Sequence, residues 1–89
     1  MEKLITAVRY HIGHKHIDSV QINATSNIEP RERVVANIRN GDAYWTYPIV
    51  NGVRIRGSLV KIVLINGAEY LKTINNGKED DNLGELPEF

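Results

Sequence analysis

"AYWTYPIVNGVRIRG", residues 43–57, decides the architecture of this chain. Runs of aromatic and β-branched residues flank Asn51-Gly52, and both turn residues tolerate the positive φ of a two-residue type I′ hairpin turn. The stretch therefore predicts an antiparallel hairpin. Pro48 has no N–H for a sheet ladder, which places it at an edge or a bulge. In a regular strand Ala43, Trp45 and Tyr47 share one face, and Tyr44 and Thr46 the other. Arg54 and Arg56 share a face, alternating with Val53 and Ile55. Only one aromatic set can lie on the arginine side.

Working outward, Asn-Gly recurs at 40–41, 66–67 and 76–77. Most of these pairs sit between or at the end of strand-like runs, an antiparallel signal for the C-terminal half. Leu59–Ile65 is apolar on both faces apart from Lys61 and reads as the central strand. Gly57 reads as a bend before it. At the start, "LITAVRYH" is a first strand, with Leu4, Thr6, Val8 and Tyr10 on one face and Ile5, Ala7 and Arg9 on the other. "IDSVQINAT" is a second. "EPRERVVANIRNG", residues 29–41, is the helix candidate. Pro30 suits its first turn, Val34, Val35 and Ile38 make an apolar stripe, and Gly41 ends it in a left-handed conformation. Its arginines read as a solvated face. The expected fold is α+β: a curved antiparallel sheet of five or six strands with one helix packed on one face. The alternative is a small, partly open barrel.

The 89 residues suit one domain, residues 1–89. No apolar run approaches the roughly 20 residues that span a membrane, and the start lacks a signal-peptide core. With no cysteine there is neither a disulfide nor a thiolate metal site. The expected location is the cytoplasm. The net charge of zero hides an asymmetry: residues 1–77 carry ten basic and six acidic side chains, residues 78–89 one and five. A mildly basic body favours an anionic ligand without implying nucleic acid. The acidic tail 78–89 carries Leu83, Leu86 and Phe89 at three-residue spacing, which predicts docking on the core, with Asp81 or Asn82 capping a short turn.

"ITAVRY", "EYLKT" and "DNLGELPEF" together resemble a family of small bacterial and phage proteins, domain of unknown function 3892. The matching positions are Ile5, Thr6, Val8 and Arg9; Tyr70, Leu71 and Thr73; and Asp81, Asn82, Leu83, Leu86 and Pro87. The "NNGKEDDNL" connection is longer than the family pattern. The resemblance implies a one-domain fold and a phage or Firmicute context, and carries no activity.

Three constellations could carry chemistry. Trp45, Tyr47 or Tyr44 beside Arg54 and Arg56 could bind a nucleotide, since arginine forks grip phosphates and aromatic rings stack on bases. The competing reading is a core strand with a guarded edge. His11, His14 and His16 could hold zinc or nickel, but the loop lacks a fourth ligand at a familiar spacing; His14 and His16 serve better as accessory donors to a phosphate. Arg9 could pair with an acid such as Asp81. No nucleophile elbow, P-loop or dinucleotide fingerprint is present, so the expectation is a non-enzymatic module with no cofactor and no metal. It would bind or sequester a nucleotide-like anion through Tyr44, Trp45, Tyr47, Arg54, Arg56, His14 and His16. The alternative is a protein-interaction module that regulates a host protein. A homo-oligomer is expected in either case.

Overall fold

The computed structural model describes residues 2–13, 16–73, 78, 80–84 and 86–89. In chain order the elements are β1 (Glu2–Tyr10), β2 (Ile17–Ile22), β3 (Ile28–Pro30), α1 (Arg31–Arg39), β4 (Ala43–Thr46), β5 (Ile49–Val50), β6 (Val53–Arg54), β7 (Lys61–Ile65) and β8 (Ala68–Lys72). Among the described residues the fold is α+β with one helix, and it is not a closed barrel. The strands form three pieces: a four-stranded sheet in the order β3-β2-β1-β4, a β5-β6 pair and a β7-β8 pair.

The main sheet is mixed rather than wholly antiparallel, because β1 and β4 run parallel, with Glu2 opposite Ala43 and Ile5 opposite Thr46. Parallel neighbours need a crossover connection, and the segment carrying α1 supplies it. The central strand is β1, not the Leu59–Ile65 run; β7 pairs with β8 alone. Only the start of that run is held against the main sheet, where the Val60 N–H bonds the Tyr44 carbonyl at 2.8 Å. By Leu64 the chain projects beyond the core, and that side chain is 68% exposed.

Alternation along β1 is broken by a bulge. Ile5 opposes Ile22 and Ala7 opposes Gln21, so Thr6 is an extra residue. The slip turns Ile5 and Val8, three apart, into one core. Thr6 Oγ1 occupies the gap, accepting the Ala24 N–H at 2.8 Å and bonding Gln21 Oε1 at 3.0 Å.

Glu29 and Pro30 belong to β3 rather than to the helix. Pro30, with ψ at 154°, is the extended residue before α1. Val34 is buried, with Val35 and Ile38 packed beside it, as the stripe requires. At the other end Gly41 has φ of +97°. Its N–H bonds the Ile38 carbonyl at 3.0 Å, and the Asp42 N–H bonds the Asn37 carbonyl at 3.0 Å. These are the two bonds of a Schellman stop. The Asn51-Gly52 and Asn66-Gly67 pairs both adopt positive φ and close β5-β6 and β7-β8. Asn76-Gly77 lies outside the described residues.

The tail packs on this frame. Leu83 and Leu86 join the core of Ile5, Val20, Tyr44 and Leu71. The Val8 N–H bonds the Pro87 carbonyl at 2.9 Å, and the Phe89 N–H bonds the Val8 carbonyl at 3.0 Å. The acid that Arg9 was expected to hold belongs to another arginine. Arg9 Nε instead donates to the Phe89 carbonyl at 3.2 Å, with its guanidinium 4.7 Å from the Phe89 ring. Arg31, expected on the solvated helix face, turns inward to Asp81, which it meets at 2.8 Å. Asp81 thus clamps rather than caps, and the described residues of the tail form no helical turn. No helix among the described residues is long and apolar enough to cross a membrane.

Candidate functional site

The hairpin of residues 43–57 is an arm whose root is a core strand. Tyr44 is fully buried and anchors that root. Its hydroxyl donates to Glu29 Oε1 at 2.5 Å and accepts from Asn37 Nδ2 at 2.9 Å. Lys3 Nζ approaches the other Glu29 oxygen at 2.5 Å. Burial alone would raise the Glu29 carboxyl, but the hydrogen bonds from Lys3 and Tyr44 more than offset it and hold it below the usual range. Tyr44 is fully buried and lies off the exposed face of the arm.

Beyond the root the register is continuous. Ile49 opposes Arg54. The Ile55 N–H bonds the Pro48 carbonyl at 3.1 Å, and the Gly57 N–H bonds the Thr46 carbonyl at 2.8 Å. This pairing puts Arg56 across from Tyr47 and diagonal to Trp45, and Arg54 diagonal to Tyr47. Diagonal neighbours on one face lie within reach of long side chains. Arg56 sits 5.0 Å from the Trp45 ring and Arg54 5.8 Å from the Tyr47 ring. Trp45, Arg56, Tyr47 and Arg54 thus alternate along one face of the arm, and that is the set the sequence left undecided.

The face is polarised by its supports. Glu2 accepts from Trp45 Nε1 at 3.2 Å and from Arg56 Nη2 at 3.2 Å. Arg54 Nη1 donates to the Tyr47 carbonyl at 2.9 Å. Among the described residues Arg54 has no carboxylate partner, while Arg56 has Glu2. The opposite face of the arm looks onto the tail across a cavity of about 360 Å³ lined by Thr46, Pro48, Val50, Ser58, Leu83 and Leu86. The arm also exposes Ile49, Val50, Val53 and Ile55.

The histidines do not converge on this face. His16 stacks on Tyr70, with ring centroids 5.3 Å apart, and its Nδ1 lies 3.7 Å from Asp81. His11 Nε2 lies 3.4 Å from Asp18. His14 lies outside the described residues. Among the described residues no three His, Asp or Glu side chains gather as a metal site. Sequence reasoning missed Glu2, which meets Trp45 only because β1 and β4 pair in parallel; no local signal could have revealed it.

A small α+β domain with an aromatic–arginine arm is what the fold and this face define. The chain belongs to the family described as "Protein of unknown function (DUF3892)", whose model matches residues 4–87. No curated protein and no solved structure matches the chain.

Proposed function

We propose that the chain is a non-enzymatic binding module for a planar, anionic, nucleotide-like small molecule, held on the outer face of the arm. The supporting observation is the interleaved row of Trp45, Arg56, Tyr47 and Arg54. Guanidinium groups next to aromatic rings offer a phosphate its bidentate donors and a base its stacking surface. Tyr44 fixes the root of the arm in the core, which limits the ordering cost of binding. The site works in the cytoplasm in this reading, and His16, committed to Tyr70 and Asp81, is not part of it.

Calorimetric titration with nucleoside monophosphates, nucleoside diphosphates and cyclic dinucleotides tests the proposal. Saturable binding that Arg54→Ala weakens at least tenfold is expected. No heat at millimolar ligand would overturn it.

A second reading rests on Ile49, Val50, Val53 and Ile55, four exposed aliphatic residues on the same arm. With arginine and aromatic anchors beside them, they suit a protein partner. Binding of a purified partner that Val53→Asp abolishes, with no response to nucleotides, would favour it.

A further inference from the structure

We infer that β7 is a self-pairing edge, through which two copies of this chain join antiparallel across a two-fold axis at Val63. The direction of the backbone groups carries the inference. On β8, the Leu71 N–H bonds Asp81 Oδ1 at 2.8 Å and the Leu71 carbonyl accepts from the Asn82 N–H at 2.8 Å. Both Leu71 groups therefore point away from β7. The Glu69 carbonyl likewise turns outward, to Arg31 Nη2 at 2.7 Å.

Opposite residues of an antiparallel pair point their backbone groups the same way relative to the ladder, either exchanging bonds or both turning outward. Leu71 opposes Ile62, and Glu69 opposes Leu64. Ile62 and Leu64 therefore direct their N–H and C=O groups away from β8, on the open side of β7. Among the described residues nothing bonds these four groups. The outer edge of β8 is covered by the tail, and β4 by residues 58–60, whereas among the described residues no strand or loop bonds the outward backbone groups of β7.

The sequence of this edge, Lys-Ile-Val-Leu-Ile, specifies its own partner. With Val63 opposite Val63 of a second copy, Ile62 meets Leu64 and the two exchange both backbone bonds. The symmetry repeats the exchange, so all four free groups are satisfied. Lys61 falls opposite Ile65 rather than another Lys61, so no like charges oppose. Leu64, 68% exposed in one copy, gains Ile62 of the other as its cross-strand neighbour. The two-stranded β7-β8 piece, marginal by itself, becomes half of a four-stranded sheet. The interface is isologous and closes at two copies.

The chain has no cysteine, so an introduced thiol reports on this contact alone. Val63→Cys brings two thiols to a non-hydrogen-bonded pair with Cα atoms about 4.5 Å apart, within disulfide range. Leu64→Cys leaves its two copies roughly 8 Å apart, outside that range. The expected results are a dimer of the unmodified chain by native mass spectrometry, rapid disulfide dimerisation of Val63→Cys and little of Leu64→Cys. The exposed-site variant Leu64→Lys should be folded by circular dichroism and at least tenfold weaker in dimerisation. A monomer at 100 micromolar (on the order of the Kd such an edge must beat) would overturn the inference. Cross-linking of Leu64→Cys as fast as Val63→Cys, or an edge that pairs only with a different protein's strand, would do the same.

Discussion

Arg31, partly exposed, and Asp81, fully buried, form an ion pair across fifty residues of chain, with Nε at 2.8 Å from Oδ2 and Nη2 at 3.3 Å from Oδ1. The same carboxylate accepts the Ile17 N–H at 2.7 Å and the Leu71 N–H at 2.8 Å. One side chain thus joins the helix, β2, β8 and the tail. Removing it strands two buried amides and leaves the partly exposed guanidinium only the Glu69 carbonyl. Loss of one partner of a fully buried pair costs about 3–5 kcal/mol, which sets the upper end here. Asp81→Ala should lower the unfolding free energy by up to that amount in urea titration. A loss near 1 kcal/mol, ordinary for a surface pair, would show that the clamp carries little.

The Lys3–Glu29–Tyr44 group predicts two pH limits. Glu29 has its folded pKa below the ordinary 4.5 despite burial, because of the Lys3 and Tyr44 hydrogen bonds. Its contribution is therefore present above pH 4.5 and is lost as the pH falls through the lower folded value. Lys3 is raised above 10.5 by its hydrogen bond to Glu29, and Tyr44 above 10.0 by burial and then by Glu29. Their contributions hold below those values and fade as the pH rises through the folded pKa values. Glu29→Gln should be less stable than the unmodified chain between pH 5 and 9, by about 1–3 kcal/mol. The gap should close on acidification below pH 4.5. A gap that stays constant down to pH 2 would refute the linkage.

Gly57 is required by contact rather than by φ. A Cβ there would stand 2.3 Å from Thr46 Oγ1 and 3.3 Å from Pro48 Cδ. Thr46 cannot readily rotate away, because its Oγ1 accepts the Ser58 N–H at 2.9 Å. Gly57→Ala should therefore destabilise the chain by about 1–3 kcal/mol. In the Thr46→Ala background the penalty should fall below about 1 kcal/mol, a coupling that a double-mutant cycle measures. Additive losses would place the strain elsewhere.

Glu2 offsets Arg56 on the proposed ligand face, at 3.2 Å. Glu2→Gln should then strengthen anion binding several-fold in calorimetry. The gain should shrink between 50 mM and 500 mM salt, since exposed charges are screened over about 10 Å at 0.1 M. Weaker binding in Glu2→Gln would mean that the carboxylate positions Arg56 rather than competing for it.

What the sequence disclosed was local. Asn51-Gly52 and Asn66-Gly67 announce hairpins, and the Val34–Ile38 stripe and Gly41 bound a helix, because each depends on neighbours in the chain. The parallel pairing of β1 with β4 was hidden, as it follows from where a crossover lands. The bulge at Thr6 was hidden too, because a single extra residue reverses every later side chain. Leu59–Ile65 misled for a physical reason: an apolar run marks a central strand only if both faces are covered, and a small domain leaves its tip bare. On the site, alternation correctly separated Tyr44 from Trp45 and Tyr47. Choosing between the sets needed the register of residues 46–57, and Glu2 needed the fold itself.

Because Tyr44 is bonded to Glu29 and Asn37 while Ile49, Val50 and Val53 are exposed, the arm is anchored in the core at one end and solvated at the other. Amide exchange should record this as a gradient. Thr46, whose N–H bonds the Ser58 carbonyl at 3.0 Å, should be slow, and residues near Asn51-Gly52 should be fast. Whatever settles on Trp45 and Arg56 meets a surface set in advance by the core. Whatever reaches Ile49 and Val53 must bring its own order to the tip.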